Sequence, residues 1–212
     1  MNLPSAIICQ HLKRQLETRL PGSTSHLKML PPGRVLELPT EQNSFHESAV
    51  LIVLFPFREQ IGTCLIRRPA SMKNHAGQIA FPGGKREKED LSLIRTALRE
   101  AREEIGIDPD SVEILGELST VYVQVSKFLI KPVLCWLQQM PELVADLAEV
   151  DEVIYISLED LANQANRCDR EMETMTGKLS VPGYEINGLF IWGATAMILA
   201  ELADIYQEVS QL

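Results

Sequence analysis

The stretch Arg99-Glu100-Ala101-Arg102-Glu103-Glu104-Ile105-Gly106-Ile107, fifteen residues beyond the pair Gly83-Gly84, decides the reading of this chain. Glu100, Glu103 and Glu104 are spaced i, i+3 and i+4, so one turn of helix carries three carboxylates on one side. Like charges at that spacing repel and destabilise an ordinary helix. A divalent cation removes the penalty, because carboxylate oxygens are natural ligands for Mg²⁺ and Mn²⁺. An isolated run of this kind reads first as a solvated face. Its surroundings argue for a site.

Leu91, Ile94, Leu98, Ala101 and Ile105 form an apolar stripe at helical period. Arg95, Arg99 and Arg102 form a second, basic stripe. Asp90 or Ser92 supplies an N-cap, and Gly106 stands where a left-handed C-cap belongs. The spacing therefore predicts a short amphipathic helix entered from a glycine loop, with its acidic edge beside that loop.

Gly84 to Ile107 resembles the Nudix box, the loop–helix–loop of hydrolases acting on nucleoside diphosphates linked to another group. Arg99 to Ile107 matches the second half of the family pattern, with Ala101 as the small apolar residue. Counted back from Arg99, the family's upstream glutamate falls on Leu91 and its glycine on Lys85, so one extra residue follows Gly84. Asp90 or Glu89 can stand in for the missing acid, and the sequence does not choose between them.

The longer loop is similar to the coenzyme A pyrophosphatase branch of the family. So is the leader Cys64-Leu65-Ile66-Arg67-Arg68-Pro69-Ala70-Ser71-Met72-Lys73-Asn74-His75-Ala76-Gly77-Gln78-Ile79-Ala80-Phe81-Pro82-Gly83-Gly84. Ile66, Pro69 and Lys73 depart from the branch pattern, where Thr, Ser and Arg are usual. Lys73 keeps the charge but not the bidentate fork. Ile191-Trp192-Gly193-Ala194-Thr195-Ala196 also resembles that branch, so the likeness covers roughly residues 46–205.

Composition suits one globular enzyme domain with an N-terminal extension: residues 1–45 as a helix and loop-rich lead-in, 46–212 as the hydrolase domain. A net charge of −9 excludes non-specific nucleic-acid binding. Nine of the 20 basic residues nevertheless fall between Arg67 and Arg102. A basic patch in an acidic chain reads either as a solvated loop or as a cradle for a polyanionic small molecule. Cys64 and Cys135 lie in apolar runs and read as core; no metal-type cysteine pairing is present. With no signal peptide and no apolar run of spanning length, the chain is expected to be cytoplasmic, with no membrane partner.

Period and breakers predict a helix over 4–19 and a hairpin of strands 49–55 and 61–67. They predict strands over 112–125, 128–137 and 152–156, and a short helix over 158–165. A second hairpin, 178–184 with 189–192, turns at Asn187-Gly188, and a last helix runs over 193–207. Strands and helices mix without regular alternation, which favours an α/β/α sandwich on a mixed β-sheet. The Nudix-type fold is such a sandwich. The amphipathic N-terminal helix offers a face on which two subunits could pair as a homodimer.

The resemblance implies hydrolysis of the pyrophosphate of coenzyme A or its thioesters, giving 4′-phosphopantetheine (or its acyl form) and adenosine 3′,5′-bisphosphate. Another nucleoside diphosphate derivative such as ADP-ribose is the alternative substrate. A non-catalytic ligand sensor is the alternative role. It implies Glu100, Glu103 and Glu104 as ligands of Mg²⁺ or Mn²⁺, and Arg99 as the clamp of the helix carboxylates. Glu103 or Glu149 is the candidate base. Arg67, Arg68, Lys73 and His75 are the candidate contacts to substrate phosphate, and Gly83 and Gly84 allow close backbone approach. Each has a plainer reading: a solvated turn for Glu149, loop order for His75, an ordinary turn for the glycines. Phe81 and Trp192 read as core aromatics.

Overall fold

The computed structural model describes residues 5–36, 39, 45–71, 77–174 and 177–210. β1 (His46–Phe57) and β2 (Gln60–Arg67) form the first hairpin, turning on Arg58 and Glu59, both at positive φ. β3 (Ile79–Ala80) pairs antiparallel with the end of β2, and β4 (Gly83–Lys85) pairs antiparallel with the first half of β1. The acidic helix α3 (Leu93–Ile105) follows; two helices precede it, α1 (Ser5–Leu16) and α2 (Ser23–His26). β5 (Glu113–Glu117) and β6 (Val121–Val123) both pair antiparallel with β7 (Phe128–Trp136), which runs parallel to β1. β8 (Glu152–Ser157) pairs antiparallel with β2. Among the described residues, β1 to β8 make one mixed sheet.

The expected single strand over 112–125 is two strands. The register against β7 shifts between Ile114 and Gly116; Leu118 N–H still donates to Pro132 O of β7, and pairing resumes only at Val121. After β8 come α4 (Leu158–Ala162) and a three-stranded antiparallel sheet of β9 (Arg167–Thr174), β10 (Gly177–Ile186) and β11 (Leu189–Trp192). β9 had no sequence signal, because Arg167-Cys168-Asp169-Arg170-Glu171 lacks apolar alternation. The β10–β11 turn is where Asn187-Gly188 predicts it, with both residues at positive φ. α5 (Gly193–Ser210) closes the chain.

The sheet is covered on both faces. Ala49, Leu51, Val53 and Phe55 of β1 pack with Ala97, Leu98, Ala101 and Ile105 of α3. Ile52 and Leu54, pointing the other way, join the core of α5 and α1. A strand covered on both sides reads as a continuous apolar run, as Ala49-Val50-Leu51-Ile52-Val53-Leu54-Phe55 does. The architecture is the expected α/β/α sandwich. Leu91 is the exception to the predicted stripe: it precedes the helix and is exposed. Cys64 and Cys135 are core residues, as is Phe81; Trp192 is half-buried. No described helix is long and apolar enough to cross a membrane.

The N-terminal lead-in is fastened to α5 by buried charge. Glu201, fully buried, accepts from the N–H groups of Gly22 and Ser119 and lies 3.0 Å from His26 Nε2. Asp204, one turn on, accepts from Ser25 Oγ and from Lys28 Nζ at 2.6 Å.

Candidate active site

The acidic helix starts and stops on local chemistry. Ser92 is the N-cap, its hydroxyl accepting from Arg95 N–H at 3.3 Å. Gly106 is a left-handed C-cap at φ 73°. The glycine pair is required by close approach. A Cβ on Gly83 would stand 2.6 Å from Val50 Cα, and one on Gly84 would stand 2.5 Å from the Glu100 carboxyl carbon. Gly84 thus lays bare backbone on a carboxylate of the helix.

Arg99 is the hub between loop and helix. Its Nε and Nη2 donate to the two oxygens of Asp90 at 3.2 and 3.0 Å, and Nη2 also donates to Lys85 O at 3.1 Å. Its Nη1 faces Glu100 at 2.9 Å and Glu103 at 3.0 Å. Of the two upstream acids, Asp90 takes the arginine; it is buried, while Glu89 is exposed. Thr96 Oγ1 and Glu87 N–H also donate to Asp90, both at 3.0 Å. The hydrogen bond from Arg99, above all, holds the Asp90 carboxyl down to about 2.

The three helix carboxylates do not share one environment. Glu103 and Glu104 are about 100° apart around the helix axis and flank Glu100 on opposite sides. Glu103 is exposed and tied to Arg99. Glu104 is on the buried side, 1% exposed, where one carboxylate oxygen accepts from Gly83 N–H at 2.8 Å. Its other oxygen faces Arg68 Nη1 at 3.8 Å. Burial pushes the Glu104 carboxyl up to about 8, against the opposing pull of the Gly83 N–H and Arg68. Burial also raises Glu100, with Arg99 opposing.

Glu149 is exposed on the loop before β8, outside the helix. Its negative charge acts on both Glu100 and Glu104 and raises both. The loop that carries it is pinned at two ends. Val144 N–H donates to Ile105 O and Asp146 N–H to Glu104 O, tying the loop to the last turn of α3. Asp151 N–H donates to Arg67 O, tying it to the end of β2. Arg67 itself is paired with Glu152 at 3.0 Å. Of the leader's predicted phosphate contacts, Arg68 is turned toward the site. Lys73 and His75 lie outside the described residues. An open groove of about 580 Å³ between Phe45–Glu47 and Lys85–Lys88 adjoins the loop but does not include the carboxylates.

The model of the NUDIX domain matches residues 45–175 of this chain, which hold all of the elements just described from β1 to Glu149. The chain belongs to the Nudix family. It is accordingly an enzyme, a Nudix hydrolase of pyrophosphate-containing substrates. The protein called uncharacterized Nudix hydrolase NudL from Pectobacterium atrosepticum is 34% identical over 79% of this chain and 88% of its own length. Its namesake from Enterobacter sp. is 37% identical over 74% and 81%. Among solved structures, the Nudix hydrolase RenU of M. smegmatis superposes with TM-score 0.53 at 16% identity, covering 79% of this chain and 89% of that one. A MutT/nudix family protein from Enterococcus faecalis superposes with TM-score 0.52 at 18% identity, covering 78% and 62%. These two likenesses concern the fold.

Nudix hydrolases generally use divalent ions such as Mg²⁺ or Mn²⁺. Among the described residues, no three His, Cys, Asp or Glu side chains stand close enough together to hold an ion as they are placed. Glu103 is drawn off by Arg99, and Glu104 is turned to Gly83 and Arg68. The donor set nevertheless suits a hard cation. Glu100, Glu103 and Glu104 are all oxygen donors, Glu100 is repelled by Glu103 and repels Glu104, and among the described residues the buried Glu104 has a cation no nearer than Arg68 at 3.8 Å.

Proposed function

We propose that this Nudix enzyme hydrolyses the pyrophosphate linkage of coenzyme A or its thioesters. The observation that carries the chemistry is the bare backbone of Gly83-Gly84 laid on two helix carboxylates: a Cβ on Gly84 would stand 2.5 Å from the Glu100 carboxyl carbon, and Gly83 N–H donates to Glu104 at 2.8 Å. The substrate class rests on the leader from Cys64 to Gly84 and on Ile191–Ala196, both similar to the coenzyme A branch. The two segments lie side by side in the fold: Thr195 Oγ1 donates to Ile79 O at 3.0 Å.

Glu100, Glu103 and Glu104 would hold Mg²⁺ or Mn²⁺, and a bound ion of this kind neutralises phosphate charge and acidifies water. The chain's own residues do the rest. Arg99 positions Glu100 and Glu103 while the Lys85 carbonyl holds it against the loop. The main chain at Gly83 and Gly84 leaves room for the substrate. Arg68, Lys73 and His75 receive its phosphates. Glu149 takes a proton from the attacking water, whose oxygen forms the new bond to phosphorus as the anhydride P–O bond breaks. The products are 4′-phosphopantetheine, or its acyl form, and adenosine 3′,5′-bisphosphate. Unpaired cysteines, three of them buried, fit a reducing cytoplasm.

The test is turnover of coenzyme A, acetyl-coenzyme A, ADP-ribose, NADH and diadenosine tetraphosphate with Mg²⁺ or Mn²⁺. The expected order places the two coenzyme A substrates highest in kcat/KM. ADP-ribose ahead of them would overturn the substrate assignment, and no turnover of any would favour a sensor. Glu149→Gln is expected to lower kcat by roughly 10²–10⁴-fold with little change in KM. A Glu149→Gln enzyme with the original kcat returns the base to Glu103.

A further inference from the structure

Glu104 is the most buried acid of the cluster, and among the described residues the cation nearest its second oxygen is Arg68. The two arginines that touch the site hold it differently. Arg99 makes contacts of 2.9–3.2 Å to Asp90, Glu100 and Glu103, within ordinary hydrogen-bonding range. Arg68 stands off at 3.8 Å, too long for such a bond. Arg99 is hydrogen-bonded into the site; Arg68 faces Glu104 across a wider gap.

The backbone under Arg68 is nonetheless fixed. Its N–H donates to Gln78 O at 3.0 Å, and its carbonyl accepts from Gly77 N–H at 3.1 Å. The preceding residue is fixed twice more, by Asp151 N–H and by the Arg67–Glu152 pair. A fixed backbone therefore carries a long side chain that stands off from its carboxylate. That side chain points at a carboxylate which a divalent ion would claim, and it is a fork suited to phosphate.

We propose that Arg68 is the internal counter-cation of the metal site, facing Glu104 in the metal-free protein and handed to a substrate phosphate when a divalent ion binds. The inference rests on the reading of Glu100 and Glu104 as metal ligands. It makes Arg68 a substrate-binding residue that couples two occupancies. An ion at Glu104 releases the guanidinium for substrate, and a substrate that captures it lifts a competing charge from the ion's ligand. Linkage requires the coupling to be reciprocal, and such couplings are commonly ~5–150-fold.

The test measures binding of Mn²⁺ by paramagnetic resonance of the free ion, in metal-stripped protein and without substrate. Arg68→Gln is expected to bind Mn²⁺ about fivefold or more tightly than the original chain, because a competing cation is gone, while KM for the pyrophosphate substrate rises about tenfold. Arg68→Lys, which keeps the charge, is expected to restore the original Mn²⁺ affinity. Unchanged or weaker Mn²⁺ binding by Arg68→Gln would overturn the proposal. Glu104→Gln separates the two readings. If it weakens Mn²⁺ binding while Arg68→Gln does nothing, only the counter-cation role falls; if it leaves binding unchanged, the metal-ligand reading falls as well. A second measurement needs no variant to fold differently: in arginine-labelled protein, Mg²⁺ alone should shift the Arg68 Nε–H resonance. A resonance unmoved by saturating Mg²⁺ would refute the hand-over.

Discussion

Replacing Asp90 by Asn tests whether the loop before the acidic helix is held by charge. Asn keeps the volume, so lost packing contributes little. Asp90 accepts four hydrogen bonds: two from Arg99, one from Thr96 and one from Glu87. Its side chain is 6% exposed and that of Arg99 24%, so water screens the pair only partly. The depression of its carboxyl from 3.8 to about 2 corresponds to about 2 kcal/mol of native-state stabilisation. Breaking a buried pair outright costs about 3–5 kcal/mol, a ceiling for a guanidinium still 24% exposed. The expected loss is therefore about 2–3 kcal/mol, or a fall in Tm of about 5–10 °C for a chain of this length. The pH dependence has a definite sign. A depressed carboxyl contributes fully above 3.8 and loses its contribution as pH falls toward 2, so the gap between the original and Asp90→Asn shrinks below pH 4. Thermal melts by circular dichroism at pH 7, 5 and 3.5 check both points. A variant within 2 °C of the original at pH 7, or a gap that widens on acidification, would refute the charge-held loop.

Glu104→Gln should raise the Tm of the protein in chelator at pH 7 by a few degrees, since burial pushes the Glu104 carboxyl up to about 8 and folding must supply a proton that Gln does not need, while kcat/KM falls by roughly 10³-fold or more; calorimetry with a parallel assay decides it. Gly84→Ala places a Cβ 2.5 Å from the Glu100 carboxyl carbon, so kcat should fall roughly 10–100-fold with Tm changed far less than activity, and kinetics with a melt tell a displaced carboxylate from a broken fold. Glu201→Ala strips the partner from Gly22, Ser119 and His26 in a buried setting; about 3 kcal/mol of stability should go, and limited proteolysis should cut the N-terminal lead-in first.

Much of the site was legible because its signals are local. Helix period, Ser92 as N-cap, Gly106 as C-cap and the Asn187-Gly188 turn depend on a few neighbouring residues. So do the buried runs that became β1, β2 and β7, and they carried the fold class with them. What stayed closed was every choice among chemically equal residues. Asp90 and Glu89 are adjacent acids, and only the approach of Arg99 from the helix separates them. Glu103 and Glu104 are adjacent too, yet one faces water and the other the Gly83 backbone, because consecutive helical residues point about 100° apart. The loop of Glu149 is held by backbone bonds to the end of α3 and to β2, partners 39 to 84 residues away in sequence. Arg68 found Glu104 the same way. Sequence determines which groups are available and which short elements form, since those energies are set within a turn or two of chain. Which groups meet is decided by the sheet that brings β1, β2, β4 and β8 together under one helix, because a charge pair depends on distance and burial, and neither is written along the chain.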